Sequence, residues 1–226
     1  MRWTVSATKK NIGSARPPPG CFRAACARDW DGTATPGEDG RYFIRSLYFD
    51  DYLQSGLLDK IEGTEKREKF RLRYYNLDDG LIRLELKQKI GALTRKRSAP
   101  LTREQADAIL SGDIWALYSS EEPLLRNFYL KARTRLLRPT VIVDYVREAY
   151  VFRDVRITLD SGLHSGQYRT ELFDADLFTL PVLPGDRLIL EIKYDDALPY
   201  TVRQLLRPLS AVRCAISKYE LCRATQ

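Results

Sequence analysis

Three stretches of this chain alternate charged and apolar side chains with a period of two. They are Lys69-Phe70-Arg71-Leu72-Arg73-Tyr74, Leu84-Glu85-Leu86-Lys87-Gln88-Lys89 and Leu188-Ile189-Leu190-Glu191-Ile192-Lys193-Tyr194. Successive side chains of a strand point to opposite faces. Each stretch therefore reads as a strand with one apolar and one charged face. The charges are mainly cationic, with Glu85 and Glu191 set among them. Such a face suits a polyanion, with a carboxylate left to hold a metal ion.

Other strands add to that face. Arg83 precedes Glu85, and a third meander strand offers Arg95 and Arg97. Later runs offer Tyr145 and Arg147, then Arg156, Thr158 and Asp160. Like charges opposite one another across strands repel, so Arg71, Arg73, Lys87 and Lys89 call for a counter-anion. In a closed barrel of about eight strands the cationic face would turn inward. A chain of phosphates would then meet bidentate arginines and point-charge lysines. Phosphate chemistry commonly uses a divalent ion, and oxygen ligands suit Mg²⁺ or Mn²⁺. Glu191 is the first candidate ligand, Glu85 the second and Asp160 the third.

The 226 residues carry 37 Lys+Arg against 30 Asp+Glu, a formal net charge of +7. That excess favours anionic partners without choosing among them. Cys21, Cys26, Cys214 and Cys222 show no C-x-x-C spacing, and a single histidine completes no usual zinc set. Free thiols in a reducing cytosol are expected, hence a cytoplasmic protein. There is no apolar run of membrane-spanning length and no secretory signal.

Residues 1–40 have a different texture, with Pro17-Pro18-Pro19-Gly20 and no apolar period. They read as a loosely attached or disordered arm, leaving residues 41–226 as a single domain. Strands are expected over 42–49, 57–61, 66–75, 81–90, 93–99, 140–152, 155–159 and 187–194. Thr102-Arg103-Glu104-Gln105 has capping-box spacing and opens a helix ending near Gly112. A second helix is expected over 122–137 and a short one over 199–206, while 215–222 stays undecided. Trp115 is expected in the core of the helical insertion, and His164 exposed in a Gly/Ser loop. The sum is an α+β chain, an antiparallel barrel decorated by helices.

In this order the segments resemble the VTC-type polyphosphate polymerase domain, a branch of the triphosphate tunnel metalloenzymes. The matching pieces are Ser46-Leu47-Tyr48-Phe49-Asp50, Lys69 to Tyr74, Leu84-Glu85-Leu86-Lys87, Val143-Asp144-Tyr145-x-Arg147, Arg156 to Asp160, Leu190-Glu191-Ile192-Lys193 and Ser217-Lys218-Tyr219. They cover about residues 41–223. The resemblance implies a tunnel holding ATP, triphosphate or polyphosphate, and transfer of a γ-phosphate to a polyphosphate chain without a covalent enzyme intermediate. Arg71, Arg73, Lys87 and Glu191 would carry the transfer. By the same resemblance Arg147, Arg156 and Lys218 match further phosphate ligands and Glu191 the metal-binding carboxylate, while the charged strand faces themselves add Lys69, Lys89, Arg97 and Lys193 to the expected phosphate-binding set. The family's usual first strand, with its own Glu/Lys motif, and the helix after it have no match in residues 1–40, so the barrel is expected to have a gap.

A tunnel triphosphatase and a non-catalytic sensor of polyphosphate or nucleotide remain as alternatives. A single-stranded nucleic acid partner would need aromatics on the cationic face, whereas Phe70 and Tyr74 fall on the opposite one.

Overall fold

The computed structural model describes residues 10–15, 27–28, 40–185, 187–207, 212–213 and 215–226. Its frame is an antiparallel sheet of eleven strands. In chain order these are β1 (Lys10–Ala15), β2 (Ala27–Arg28), β3 (Arg41–Asp50), β4 (Lys66–Tyr75), β5 (Asp78–Ile90), β6 (Leu93–Leu101), β7 (Arg138–Phe152), β8 (Val155–Ser165), β9 (Leu180–Pro181), β10 (Leu188–Lys193) and β11 (Val212–Arg213). The main path runs β11-β1-β10-β8-β7-β3-β4-β5-β6, with β2 added on β7 and β9 on β8. Among the described residues no pairing joins β6 to β11, so the curled sheet is not a closed ladder.

Among the described residues five α-helices decorate it: α1 (Ser55–Ile61), α2 (Arg103–Ser111), α3 (Pro123–Arg135), α4 (Tyr200–Leu206) and α5 (Lys218–Arg223). The Thr102 hydroxyl accepts from the Gln105 amide and the Gln105 side chain accepts from the Thr102 amide, so the expected capping box forms. Helix α2 stops at Gly112, where φ is 83° and the missing Cβ removes the left-handed penalty. Helices α2 and α3 cover the apolar face of β3–β6. There Phe128 meets Phe49 and Phe70 edge-on, with centroids 5.1 and 5.3 Å apart. A second apolar cluster (Ile157, Leu190, Ile192, Val202) lies under α4.

Several expectations are corrected. Residues 57–61 are helical, because the Asp50 carboxylate at the end of β3 accepts from the amides of Gly56 and Leu57, and Asp51 accepts from that of Ser55. These carboxylates satisfy the first-turn donors from outside the helix. The arm expected over 1–40 falls mostly outside the described residues, but its described parts are strands. β1 pairs with β10 in register Asn11 to Glu191, and β2 pairs with β7. The sequence KNIGSA hides this because its Gly and small polar residues carry no alternating pattern. Trp115 is 71% exposed, stacked beside Tyr118 on the outside of the helical layer. His164 is half-buried on β8, where its Nδ1 meets the Thr179 hydroxyl at 3.1 Å.

Candidate functional site: a cationic inner face

The period-two pattern puts Lys69, Arg71 and Arg73 of β4 on the face away from α2 and α3. The β4–β5 register sets Lys69 opposite Lys87, Arg71 opposite Glu85, Arg73 opposite Arg83 and Arg67 opposite Lys89. Across the sheet, β7 contributes Tyr145 and Arg147 to the same face. β8 contributes Arg156, Thr158 and Asp160, and β10 contributes Glu191 and Lys193, with Glu191 opposite Thr158 and Lys193 opposite Arg156.

Arg97 is not there. The register sets Arg97 opposite Leu86 and Lys96 opposite Lys87, so Arg95 and Arg97 point to the apolar side and Lys96 joins the inner face. Arg95-Lys96-Arg97 is cationic at every position, so alternation along the strand cannot choose a face. The turn at Gly91 (φ 56°) decides it.

Two buried carboxylates organise the cations. Glu85 is 2% exposed. Its oxygens lie 2.5 Å from an Arg71 terminal nitrogen, 2.6 Å from the Lys96 ammonium and 3.8 Å from an Arg73 nitrogen. Burial alone would raise its pKa, yet these three cations hold the carboxyl well below the usual range. Asp160, 1% exposed, accepts two bonds from Arg147 at 2.6 and 2.8 Å and pairs with Lys218 at 2.5 Å. Tyr145 joins the clusters. Its hydroxyl accepts from Arg73 at 3.0 Å, and its ring has Arg147 and Lys218 at 5.3 and 4.7 Å from the centroid. Arg71 also donates to the Tyr48 hydroxyl and Arg73 to the Ser46 hydroxyl. Such clamps fix guanidiniums in place before a ligand arrives.

Helix α5, undecided from sequence, closes one part of this face. Tyr219 and Cys222 pack with Tyr48, Tyr145 and Ile189, and the Tyr219 hydroxyl donates to Asp50 at 2.5 Å. The signal was present in Ser217-x-x-Glu220, a capping spacing whose hydroxyl accepts from the Glu220 amide. Lys69 lies over the Tyr219 ring, 4.1 Å from its centroid. Burial pushes the Lys69 ammonium down to about 8, against the pull of Asp50 and Glu220. The charge Lys69 offers an anion is therefore present below about pH 8 and lost above it. Tripolyphosphate affinity is expected to fall through that range, and Lys69→Arg to flatten the profile, as read by titration calorimetry from pH 6.5 to 9.5. Burial also pushes the Cys222 thiol up to about 12, which leaves it inert.

A metal ion has limited donors here. Among the described residues no group of three or more His, Cys, Asp or Glu could hold one. Glu85, expected as a second metal carboxylate, already faces three cations and does not fit that part. Glu191 fits better. Its register partner Thr158 has a buried hydroxyl oxygen with no hydrogen-bond partner among the described residues, a hard donor beside a carboxylate. Lys193 lies 3.7 Å from a Glu191 oxygen.

The inner face of this curled antiparallel sheet thus carries arginines and lysines around two buried carboxylates, as expected of the triphosphate-tunnel class that the sequence resembles. A family model described as the VTC domain matches residues 4–226, and the chain belongs to that family. The match begins well before residue 41, where the sequence resemblance starts. Membership supports a triphosphate-type ligand at a general level, and tunnel-fold proteins generally use divalent ions. No curated protein matches the chain. Among solved structures it is similar to a candidate adenylate cyclase from Bacillus halodurans, with 16% identity and a TM-score of 0.51, over 80% of this chain and 81% of that one. It is also similar to a candidate adenylate cyclase from Vibrio parahaemolyticus, with 12% identity and a TM-score of 0.48, over 96% and 98% of the two chains. The first likeness shows the fold alone.

Proposed function

We propose that the inner face binds ATP and polyphosphate and transfers the γ-phosphate to the polyphosphate chain. The observation that carries this reading is the clamped pair Arg71 and Arg73, held by Glu85, Ser46, Tyr48 and Tyr145 in line with Lys69, Lys87, Lys89 and Lys96. A phosphate chain would lie along this row, while Arg147, Arg156, Lys193 and Lys218 face it from β7, β8, β10 and α5. The residues bind and orient the phosphates and neutralise charge as it develops, the main source of catalysis in phosphoryl transfer. Glu191 and Thr158 would hold a Mn²⁺ or Mg²⁺ ion, which supplies further charge neutralisation when bound. No helix of the described residues is long and apolar enough to cross a membrane, and the reading includes a cytoplasmic setting with reduced thiols.

Incubation with ATP and Mn²⁺, resolved by gel and by free phosphate, tests it. Polymer is the expected product. Free phosphate alone would identify a triphosphatase. Saturable binding without turnover would identify a sensor. Glu191→Gln is expected to abolish metal-dependent turnover while preserving the fold and metal-free tripolyphosphate binding. Wild-type turnover in that variant would remove Glu191 from the reaction.

A further inference from the structure

Lys69 stands next to a buried carboxylate and does not pair with it. One rung past the paired residues Phe49 and Phe70, the β3–β4 register brings Asp50 beside Lys69. Opposite charges facing one another across strands attract, yet among the described residues no ion pair joins these two. The carboxylate of Asp50, 4% exposed, is already saturated. Its Oδ1 accepts from the amides of Asp51 and Gly56 at 2.9 and 2.7 Å. Its Oδ2 accepts from the amide of Leu57 at 3.1 Å and from the Tyr219 hydroxyl at 2.5 Å. Gly56 also passes so close that a Cβ there would lie 2.9 Å from Oδ1, which holds the carboxylate in place.

The Lys69 ammonium rests instead on the face of Tyr219, 4.1 Å from the ring centroid. A ring face attracts a cation through its quadrupole and leaves ammonium protons for an anion on the inner face. The ring is itself fixed. It is buried and stacks against Tyr48 with centroids 5.0 Å apart, and Tyr48 accepts from Arg71. Burial and the charge of Asp50 push the Tyr219 phenol up, so it remains a donor. The other charged groups near Lys69 are Glu220 of α5, held by Lys60 of α1 at 3.2 Å, Arg67 on β4, and Lys87 opposite on β5.

We propose that Tyr219 is a positioning residue for the phosphate site: its hydroxyl occupies Asp50 and its ring seats Lys69, so the ammonium stays available to phosphate. That role rests on the inner face binding phosphate. Tyr219→Phe keeps the ring and releases one oxygen of Asp50, to which Lys69 is then expected to turn. Competitive acetylation of the ligand-free full chain, read by peptide mass spectrometry, follows Lys69 directly. Its titration, at about 8 in the parent, is expected to rise to about 9 or above in Tyr219→Phe, because a carboxylate partner favours the charged form. Equal labelling of the other lysines in both proteins shows that the fold is kept. Tripolyphosphate affinity at pH 7, by titration calorimetry, is expected to fall about tenfold, since phosphate must then displace a carboxylate. In a Lys69→Met background the same substitution is expected to leave affinity unchanged, which a general loosening of α5 would not do. An unmoved Lys69 titration, or an equal loss of affinity in both backgrounds, would overturn the role of Tyr219 and leave the phosphate site standing. Parental tripolyphosphate affinity in Lys69→Met alone would instead strike the phosphate reading at this end of the face, and the proposal with it.

Discussion

Asp160→Asn is expected to destabilise the protein by about 3–5 kcal/mol, the usual result of leaving buried cations without their carboxylate. Asp160 is the common anion of Arg147 and Lys218, and all three side chains are largely buried. The loss would be measured by urea unfolding at pH 7. Its pH dependence follows from the sign of the shift. Burial would raise the Asp160 carboxyl, but Arg147 and Lys218 outweigh it and hold the group well below the ordinary range. A depressed folded value means that the unfolded chain takes up the proton first on acidification. The stabilisation is present above about pH 4, the unfolded value, and is lost as pH falls through the folded one. Asp160→Asn should therefore be less acid-sensitive than the parent. An equal slope of stability against pH in both proteins would show that the pair contributes nothing to folding.

Joint replacement of Arg71→Ala and Arg73→Ala is expected to lower tripolyphosphate affinity by about a hundredfold or more. Each charge-assisted contact is worth roughly 1.5–3 kcal/mol, and 1.4 kcal/mol is a factor of about ten. The double variant also leaves Glu85 buried with Lys96 alone, which costs stability in its own right. Adding Glu85→Ala removes that orphaned charge. The triple variant is expected to regain thermal stability without regaining affinity. If affinity returns with stability, the arginines act only through the fold, and the phosphate site lies elsewhere on the face.

Much of the inner face was legible because β4, β5 and β10 alternate cleanly. Lys69, Arg71, Arg73, Lys87, Lys89, Glu191 and Lys193 lie on the side that the spacing predicts. The expectation failed at Arg97 because a run of three cations has no polar or apolar side, and only the pairing with β5 shows that Lys96 is the inward member. It failed at residues 57–61 because the cap is supplied from the preceding strand end by Asp50. It failed at β1 because a strand with small residues is specified by the edge it joins and not by its own pattern.

The role of Glu85 shows the same division. By sequence it is a carboxylate among cations, open to either a metal or an ion pair. In the fold Lys96, eleven positions away, and Arg71, fourteen away, converge on it and commit it to the pair. Lys218 reaches Asp160 from a helix 58 positions later. Local spacing along the chain determined which residue types share a strand face, since alternation is a property of the backbone. Which charges neutralise one another, and which remain to meet a ligand, was decided only by register and by the seating of α5. Coulombic pairing acts over a few ångströms in space, whatever the separation along the chain.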